Sequence, residues 1–247
     1  ELTEKHADYL KHSLNIPRAQ WLPQFYLLAK IHKTPWKTRP IVSYSGSLLY
    51  GLGKWLDKKL QPYAAATECY VRSSWDLKKE LDSFEDLPPN AMIFTCDAVS
   101  MYTNIDTVHA ADTLEGVIPN YLIPFLMIIM KRNMFQFSNT YWKQRDGTAM
   151  GVPCACAWAT LYFALHESRL WKKYERWMAL FRRFIDNGLG IWIWDETPKC
   201  RDAFENFKKD MQTLGKLQWT FSDSGKTEKV LDLTISNENG RVKNSLL

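Results

Sequence analysis

Residues 181–196 read FRRFIDNGLGIWIWDE, two apolar arms around a polar centre, Asp186-Asn187-Gly188. Asn-Gly between apolar runs is the strongest short hairpin signal, because a type I′ turn needs positive φ at both central residues. The stretch therefore reads as two antiparallel strands, Phe181 to Ile185 and Leu189 to Trp194. Asn187-Gly188 turns between them and Asp186 sits at the lip. Taken alone, Asp186 and Asn187 read equally well as ordinary turn residues. A second carboxylate meeting Asp186 would change that reading.

Such a carboxylate lies upstream. Ala91 to Asp97, AMIFTCD, follows the Pro88-Pro89-Asn90 break and ends on Asp97. Its length and the preceding turn predict a buried strand. If this strand neighbours the hairpin in one sheet, Asp97 and Asp186 converge, and converging carboxylates repel unless cations lie between them. Hard oxygen donors suit Mg2+, which keeps several waters and takes one or two carboxylates plus substrate phosphates. Two such ions about 4 Å apart stabilise both the attacking and the leaving oxygen of an in-line phosphoryl displacement.

The composition is compatible with that chemistry. The 247 residues are 46% hydrophobic and 14% aromatic, enough for a sizeable core and unlike a disordered chain. A net charge of +5 suits an anionic partner such as nucleic acid. Five scattered cysteines, Cys69, Cys96, Cys154, Cys156 and Cys200, argue against a disulfide framework and against a structural zinc site. Cys154 and Cys156 read as small buried side chains. The longest apolar run, Tyr121 to Met130, is too short to span a bilayer and reads as a core helix, so no membrane partner is expected. The chain opens on Glu1 rather than Met, which suggests a piece of a longer protein carrying further domains or protein partners.

Elsewhere helices and strands mix. LYGLGKWLDKKLQPY keeps Leu52, Trp55, Leu56 and Leu60 at helical spacing, and SWDLKKELDSF places Trp75, Leu77 and Leu81 near one side. Thr107 to Leu114 reads as helical. From Gly151, Trp158, Leu161, Tyr162 and Leu165 recur as on a long amphipathic helix, with Pro153 in its first turn. Gly190 should weaken the second hairpin strand, with Trp192 and Trp194 packing against it. These two tryptophans and AQWLPQFY could stack on bases, although core packing is the commoner fate of such aromatics.

Five segments in fixed order resemble the reverse transcriptase domain of Penelope-like retroelements. PQFYLLAKIHKTPWKTRPIVSYSGSLLYGLGKWL (Pro23 to Leu56) resembles the family's finger segment, and FTCDAVSMYTNID (Phe94 to Asp106) its first catalytic motif. NMFQFSNTYWKQRDGTAMGVPCACAWATLYFALHE (Asn133 to Glu167) carries its GTAMG signature. RRFIDNGLGIW (Arg182 to Trp192) is similar to its catalytic hairpin, and LQWTFSDSGKTEKVLDLTI (Leu217 to Ile235) to its closing palm segment. The resemblance implies an α+β right-hand polymerase, with an antiparallel catalytic palm sheet backed by helices, fingers, and a thumb missing or only begun. Residues 1–90 would supply fingers and N-terminal palm helices, 91–111 the first catalytic strand, and 112–148 a second fingers/palm connection. Residues 149–235 would complete the palm, and 236–247 would begin the thumb connection. The GIY-YIG endonuclease of many relatives is not found in this stretch.

The implied activity is RNA-directed DNA polymerisation, with an RNA template, a DNA primer, dNTPs and two Mg2+ ions, or Mn2+, in an intracellular and nuclear setting. Asp97 and Asp186 match the metal-binding carboxylates. Lys30, Lys33 and Arg39 match basic finger residues, Arg39 as a forked donor for a triphosphate. Tyr102, five positions after Asp97, matches a bulky gate against a ribose 2′-OH, and this argues against an RNA-synthesising polymerase. Met150 and Gly151 match the turn before the long helix, where a missing side chain lets backbone approach a base pair or template and a helix start offers N–H groups to an anion. Lys226 or Lys229 matches a general acid for pyrophosphate.

The chain departs from the family at Asn187, where a second aspartate is the rule, and at Phe184, where tyrosine is. An amide in the catalytic hairpin supplies an oxygen but no charge. A domesticated or catalytically weakened relative, binding nucleic acid or partners without polymerising, is therefore the alternative expectation.

Overall fold

The computed structural model describes residues 2–17, 21–31, 34–84, 87–214 and 217–246. Helix α1 (Glu4–Ser13) is followed by strands β1 (Gln24–Lys30) and β2 (Lys37–Ser43), then helices α2 (Tyr50–Ala65) and α3 (Ser74–Asp82). Next come β3 (Ala91–Ala98), α4 (Met101–Asn104), α5 (Thr107–Leu114) and α6 (Ile123–Lys131). The hairpin β4 (Met134–Phe137) and β5 (Thr140–Lys143) leads to α7 (Ala155–Tyr174), β6 (Met178–Phe184) and β7 (Asn187–Ile193). The chain continues through α8 (Pro198–Met211), β8 (Trp219–Phe221), β9 (Thr227–Val230), β10 (Leu233–Glu238) and β11 (Arg241–Leu246). Two compact units result, each built from two separated segments: residues 1–63 with 102–162, and residues 64–101 with 163–247.

The second unit is organised by an antiparallel sheet ordered β6-β7-β3-β8. The strand expected at AMIFTCD is β3, and it pairs with β7 from Ala91↔Ile193 to Asp97↔Asn187. Alternation along the strands gives the sheet two dissimilar faces. One carries Ile93, Leu189 and Ile191, which join Leu77 and Leu81 of α3 and Val230, Leu233 and Ile235 of β9 and β10 in one apolar cluster. The other carries Phe94 and Trp192 against Phe204 and Phe207 of α8, with ring centroids 5.0 to 5.7 Å apart. Helix α8 starts where the sequence stops it from starting earlier: Thr197 caps the Cys200 N–H, and Pro198 occupies the first turn.

The space over Gly190 belongs to this aromatic face. Gly190 is in register with Phe94 and Phe181, and a Cβ there would stand 2.1 Å from Phe94 Cζ. The Phe94 ring, and not the Trp192–Trp194 pair, uses the room that the missing side chain leaves.

The first unit has its own sheet, ordered β2-β1-β4-β5. Phe25 packs on Phe135 and Phe137, each at 5.3 Å between centroids. In α2, Leu52, Trp55, Leu56 and Leu60 are all buried, as their spacing predicted. In α6, Leu126, Ile129 and Met130 are buried but Ile128 is not, so the run is a one-sided helix and not a fully enclosed one.

Three local expectations differ from the structure. Helix α7 begins at Ala155, so Pro153 precedes it; the turn at 151–154 closes through an Ala155 N–H to Val152 O bond of 3.0 Å instead. Trp75 is exposed, with Lys79 Nζ 5.7 Å from its ring, since only Leu77 and Leu81 of α3 reach the core. Cys156, in the first turn of α7, is exposed, while Cys154, in the turn before the helix, is buried. No described helix is long and apolar enough to cross a membrane.

Gly190→Ala is expected to lower stability by about 1–3 kcal/mol through overpacking against the Phe94 ring. Urea unfolding monitored by tryptophan fluorescence measures this, and Gly190→Ala combined with Phe94→Leu should recover part of the loss.

Candidate active site

Strands β6 and β7 form the expected hairpin, but its turn is one residue pair earlier. Phe184 pairs with Asn187, so Ile185-Asp186 is the two-residue turn and Asn187-Gly188 opens β7. Positive φ falls on Ile185 (56°) and on no other residue of the turn. That is the type II′ pattern, where Asn-Gly had predicted type I′. Gly188 is needed for a different reason: a Cβ there would lie 2.5 Å from Cys96 Sγ and 2.9 Å from Phe181 Cζ.

A β-branched residue at positive φ is strained, by roughly 1–3 kcal/mol, and persists only when its surroundings over-determine it. Arg183 supplies those surroundings. Its Nη1 donates to the Ile185 carbonyl at 2.7 Å. Its Nε and Nη2 donate to Glu167 Oε1 and Oε2 at 2.5 and 3.2 Å. Both side chains are fully enclosed, at 1% and 0% exposure. The Arg183 guanidinium also lies 5.5 Å from the Phe163 ring centroid, and its main chain bonds to Cys69 O and Val71 N. Sequence reading passed over this pair. The available signal was an arginine in phase with Phe181 on an apolar strand.

The carboxylates come next. Asp97 sits directly opposite Asn187 across β3 and β7 and opposite Thr220 across β8. Directly opposed side chains have Cβ atoms about 5 Å apart. Asp186 is one step further on, its carbonyl accepting from Ala98 N–H at 2.9 Å. The two acids are thus brought to adjacent strand ends, with Asn187 rather than Asp186 facing Asp97 squarely. Asn187 Nδ2 donates to Asp186 Oδ1 at 3.0 Å. An aspartate at 187 would add a charge opposite Asp97 and beside Asp186; asparagine replaces that repulsion with a hydrogen bond.

A cavity of about 210 Å³ opens here, lined by Thr95, Asp97, Asn187, Thr220, Ser222 and Lys229. Ser222 Oγ accepts from Thr95 N–H at 2.9 Å, which ties the loop after β8 to β3. Burial pushes the Cys96 thiol upward, so it stays protonated beneath the site. Lys229 lines the cavity, whereas Lys226 is exposed outside it and its carbonyl accepts from Asn237 N–H. Among the described residues no group of three or more His, Cys, Asp or Glu gathers as a ready-made metal cluster. Asp97 and Asp186 offer only oxygen donors, which would suit a hard ion that retains waters and not a four-ligand zinc site.

The remaining expected residues belong to the first unit. Lys30 pairs with Lys37, and Arg39 with Leu28, so Lys30, Lys37 and Arg39 share one face of the β1–β2 ribbon. Lys37 was overlooked, although its alternation with Arg39 in KTR marked it. Lys33 lies outside the described residues. The Tyr102 hydroxyl is 3.2 Å from Cys156 Sγ, and its carbonyl accepts from Thr148 N–H at 2.6 Å. Met150 O accepts from Val42 N–H at 2.7 Å. Gly151, at φ 115°, would place a Cβ 2.2 Å from Val42 O. The close approach that this glycine permits is therefore filled by β2 itself, and the start of α7 lies four residues beyond it.

No protein-family model and no curated protein matches the chain. Solved structures do. Telomerase from Candida albicans, in complex with the TWJ fragment of telomeric RNA, superposes with a TM-score of 0.68 at 11% identity, over 97% of this chain and 49% of that one. Apo telomerase from Candida tropicalis, truncated from the C-terminal domain, gives 0.64 at 12% identity, over 97% and 60%. The BmCPV RNA-dependent RNA polymerase at quiescent state gives 0.61 at 10% identity, over 93% and 22%. The chain thus spans about half of the telomerase chains and under a quarter of the viral one. Identities this low show the fold alone: an α+β, polymerase-like fold of palm and fingers type with antiparallel sheets.

Replacing Arg183 by leucine is expected to cost about 3–5 kcal/mol, because it leaves the Glu167 charge buried and unpaired. Arg183→Leu combined with Glu167→Leu should recover most of that loss in denaturant titrations.

Proposed function

We propose that this chain is the polymerising part of a Penelope-like reverse transcriptase, extending a DNA primer on an RNA template in the nucleus. The observation that carries the reading is the arrival of Asp97 and Asp186 at neighbouring ends of β3 and the β6–β7 turn, with Asp97 in the wall of an open cavity. In this reading the second unit is the palm and the first the fingers. Asp97 and Asp186 hold two Mg2+ ions, or Mn2+, and the bound ions supply charge stabilisation for the phosphoryl transfer.

The other roles fall to the chain's own side chains. Lys30 and Lys37 face each other across two strands, and like charges so placed destabilise a sheet. A triphosphate held there and by the Arg39 fork relieves that repulsion. Tyr102 fills the space that a ribose 2′-OH would need. Lys229, at the cavity wall, is better placed than Lys226 to protonate the departing pyrophosphate. Telomerase, which shares the fold, is known in complex with telomeric RNA, in keeping with an RNA partner here.

One observation favours a second reading, a weakened relative that binds nucleic acid without polymerising. The Asn187 amide occupies an oxygen of Asp186, so a metal must compete for that ligand, with one negative charge fewer nearby.

Primer extension on an RNA template with dNTPs and Mg2+ separates the two. The polymerase reading expects extension by the native chain and a loss of a hundredfold or more in Asp97→Asn, equivalent to about 3 kcal/mol. It also expects Asn187→Asp to reach half-maximal rate at lower Mg2+, and Tyr102→Ala to admit ribonucleotides. A native chain that fails to extend, beside an Asn187→Asp variant that does, establishes the second reading instead.

A further inference from the structure

A cavity of about 700 Å³ in the first unit lies between α1, α2 and residues 119–122. Nothing in the polymerase reading uses it. Its volume is within the range of about 300–1,000 Å³ typical of ligand pockets. Two adjacent rows of α2 form one wall: Lys54 and Lys58 four apart, and Trp55, Lys59 and Tyr63 four apart. Tyr9 and Tyr121 line it from the other two elements.

Its chemistry is specific. Three ammonium groups face one carboxylate, Asp57, which already accepts from Gln61 Nε2 at 3.0 Å. Desolvation, and then the charge of Lys59, hold the His6 imidazole below its ordinary range, so it adds little positive charge to that of the lysines. Trp55 is 5% exposed, and its indole N–H is buried with no hydrogen-bond partner among the described residues. Rings beside ammonium groups are the pattern that binds unpaired nucleotides, with bases stacked and phosphates paired. An acidic peptide would use the lysines and leave the tyrosine rings idle.

We infer that this groove binds a nucleoside phosphate, as an unpaired nucleotide of a single strand or as a free nucleotide. The inference stands apart from the polymerase reading, because it needs binding and no chemistry.

The test uses the full chain carrying Asp97→Asn, without dNTPs, and a short fluorescent single-stranded RNA followed by anisotropy at several salt concentrations. Lys54 and Lys58 are exposed, so alanine there and at Lys59 spares the core; circular dichroism checks this. The triple variant is expected to bind about tenfold more weakly and to lose about 2 from the log–log salt slope. Tyr63→Ala is expected to weaken binding about tenfold with the slope unchanged. Displacement of the strand by AMP identifies a free-nucleotide site, and its absence a strand site. Unaltered affinity and slope in both variants overturn the proposal, as does a polyglutamate peptide that binds the native chain and loses as much affinity in the triple variant. A chain that never extends a primer can still pass this test, and an active polymerase can fail it.

Discussion

A guanidinium buried under a turn holds the candidate site together. Arg183 is tied to Glu167 on one side and to the Ile185 carbonyl on the other, so a helix and a strained turn share one anchor. Burying two charges costs several kcal/mol per ion unless the geometry and extra hydrogen bonds offset it. Here the fork uses at least three of its donors, and the Phe163 ring lies 5.5 Å from the guanidinium. The arrangement does more for position than for stability. Ile185 at positive φ sets the direction in which Asp186 leaves β6, and that direction brings it beside Ala98 and the end of β3.

The charge balance around that turn follows from register. Asn187, not Asp186, faces Asp97. A second aspartate would place three carboxylates within two adjacent strand ends. The amide keeps the turn intact without a cation, and it does so by engaging the ligand that a cation would need. In the proposed reading, stability of the free protein and affinity for a divalent ion would be opposed at this single position. Lys30 and Lys37 carry the complementary conflict in the first unit, where two like charges oppose each other across strands.

Much of this was legible in the residues. The β3 strand, the hairpin, α2 and α5 follow from apolar period, Pro-Pro and Asn-Gly punctuation, all local signals. The turn type was not legible, because Gly188 answers to Cys96 and Phe181 and not to its own φ. Arg182 and Arg183 are chemically identical neighbours; one reaches Glu80 at the surface and the other Glu167 in the core, and only the sheet's two faces distinguish them. The same holds for Gly151, whose tight neighbour is a strand more than a hundred positions earlier in the chain. Long-range packing decided each of these, and no window along the sequence contains it.

The central strand of the second unit has a further consequence for biosynthesis. β3 leaves the ribosome well before β7 and β8, the two strands that flank it. At about 5–20 residues per second, several seconds pass with an apolar strand exposed along both edges, the condition that favours wrong pairing. Residues 102–162 emerge in that interval and belong to the other unit. Newly made chains are thus most vulnerable before the β6–β7 hairpin has been translated, and holdase chaperones acting on the nascent polypeptide should matter most at that stage.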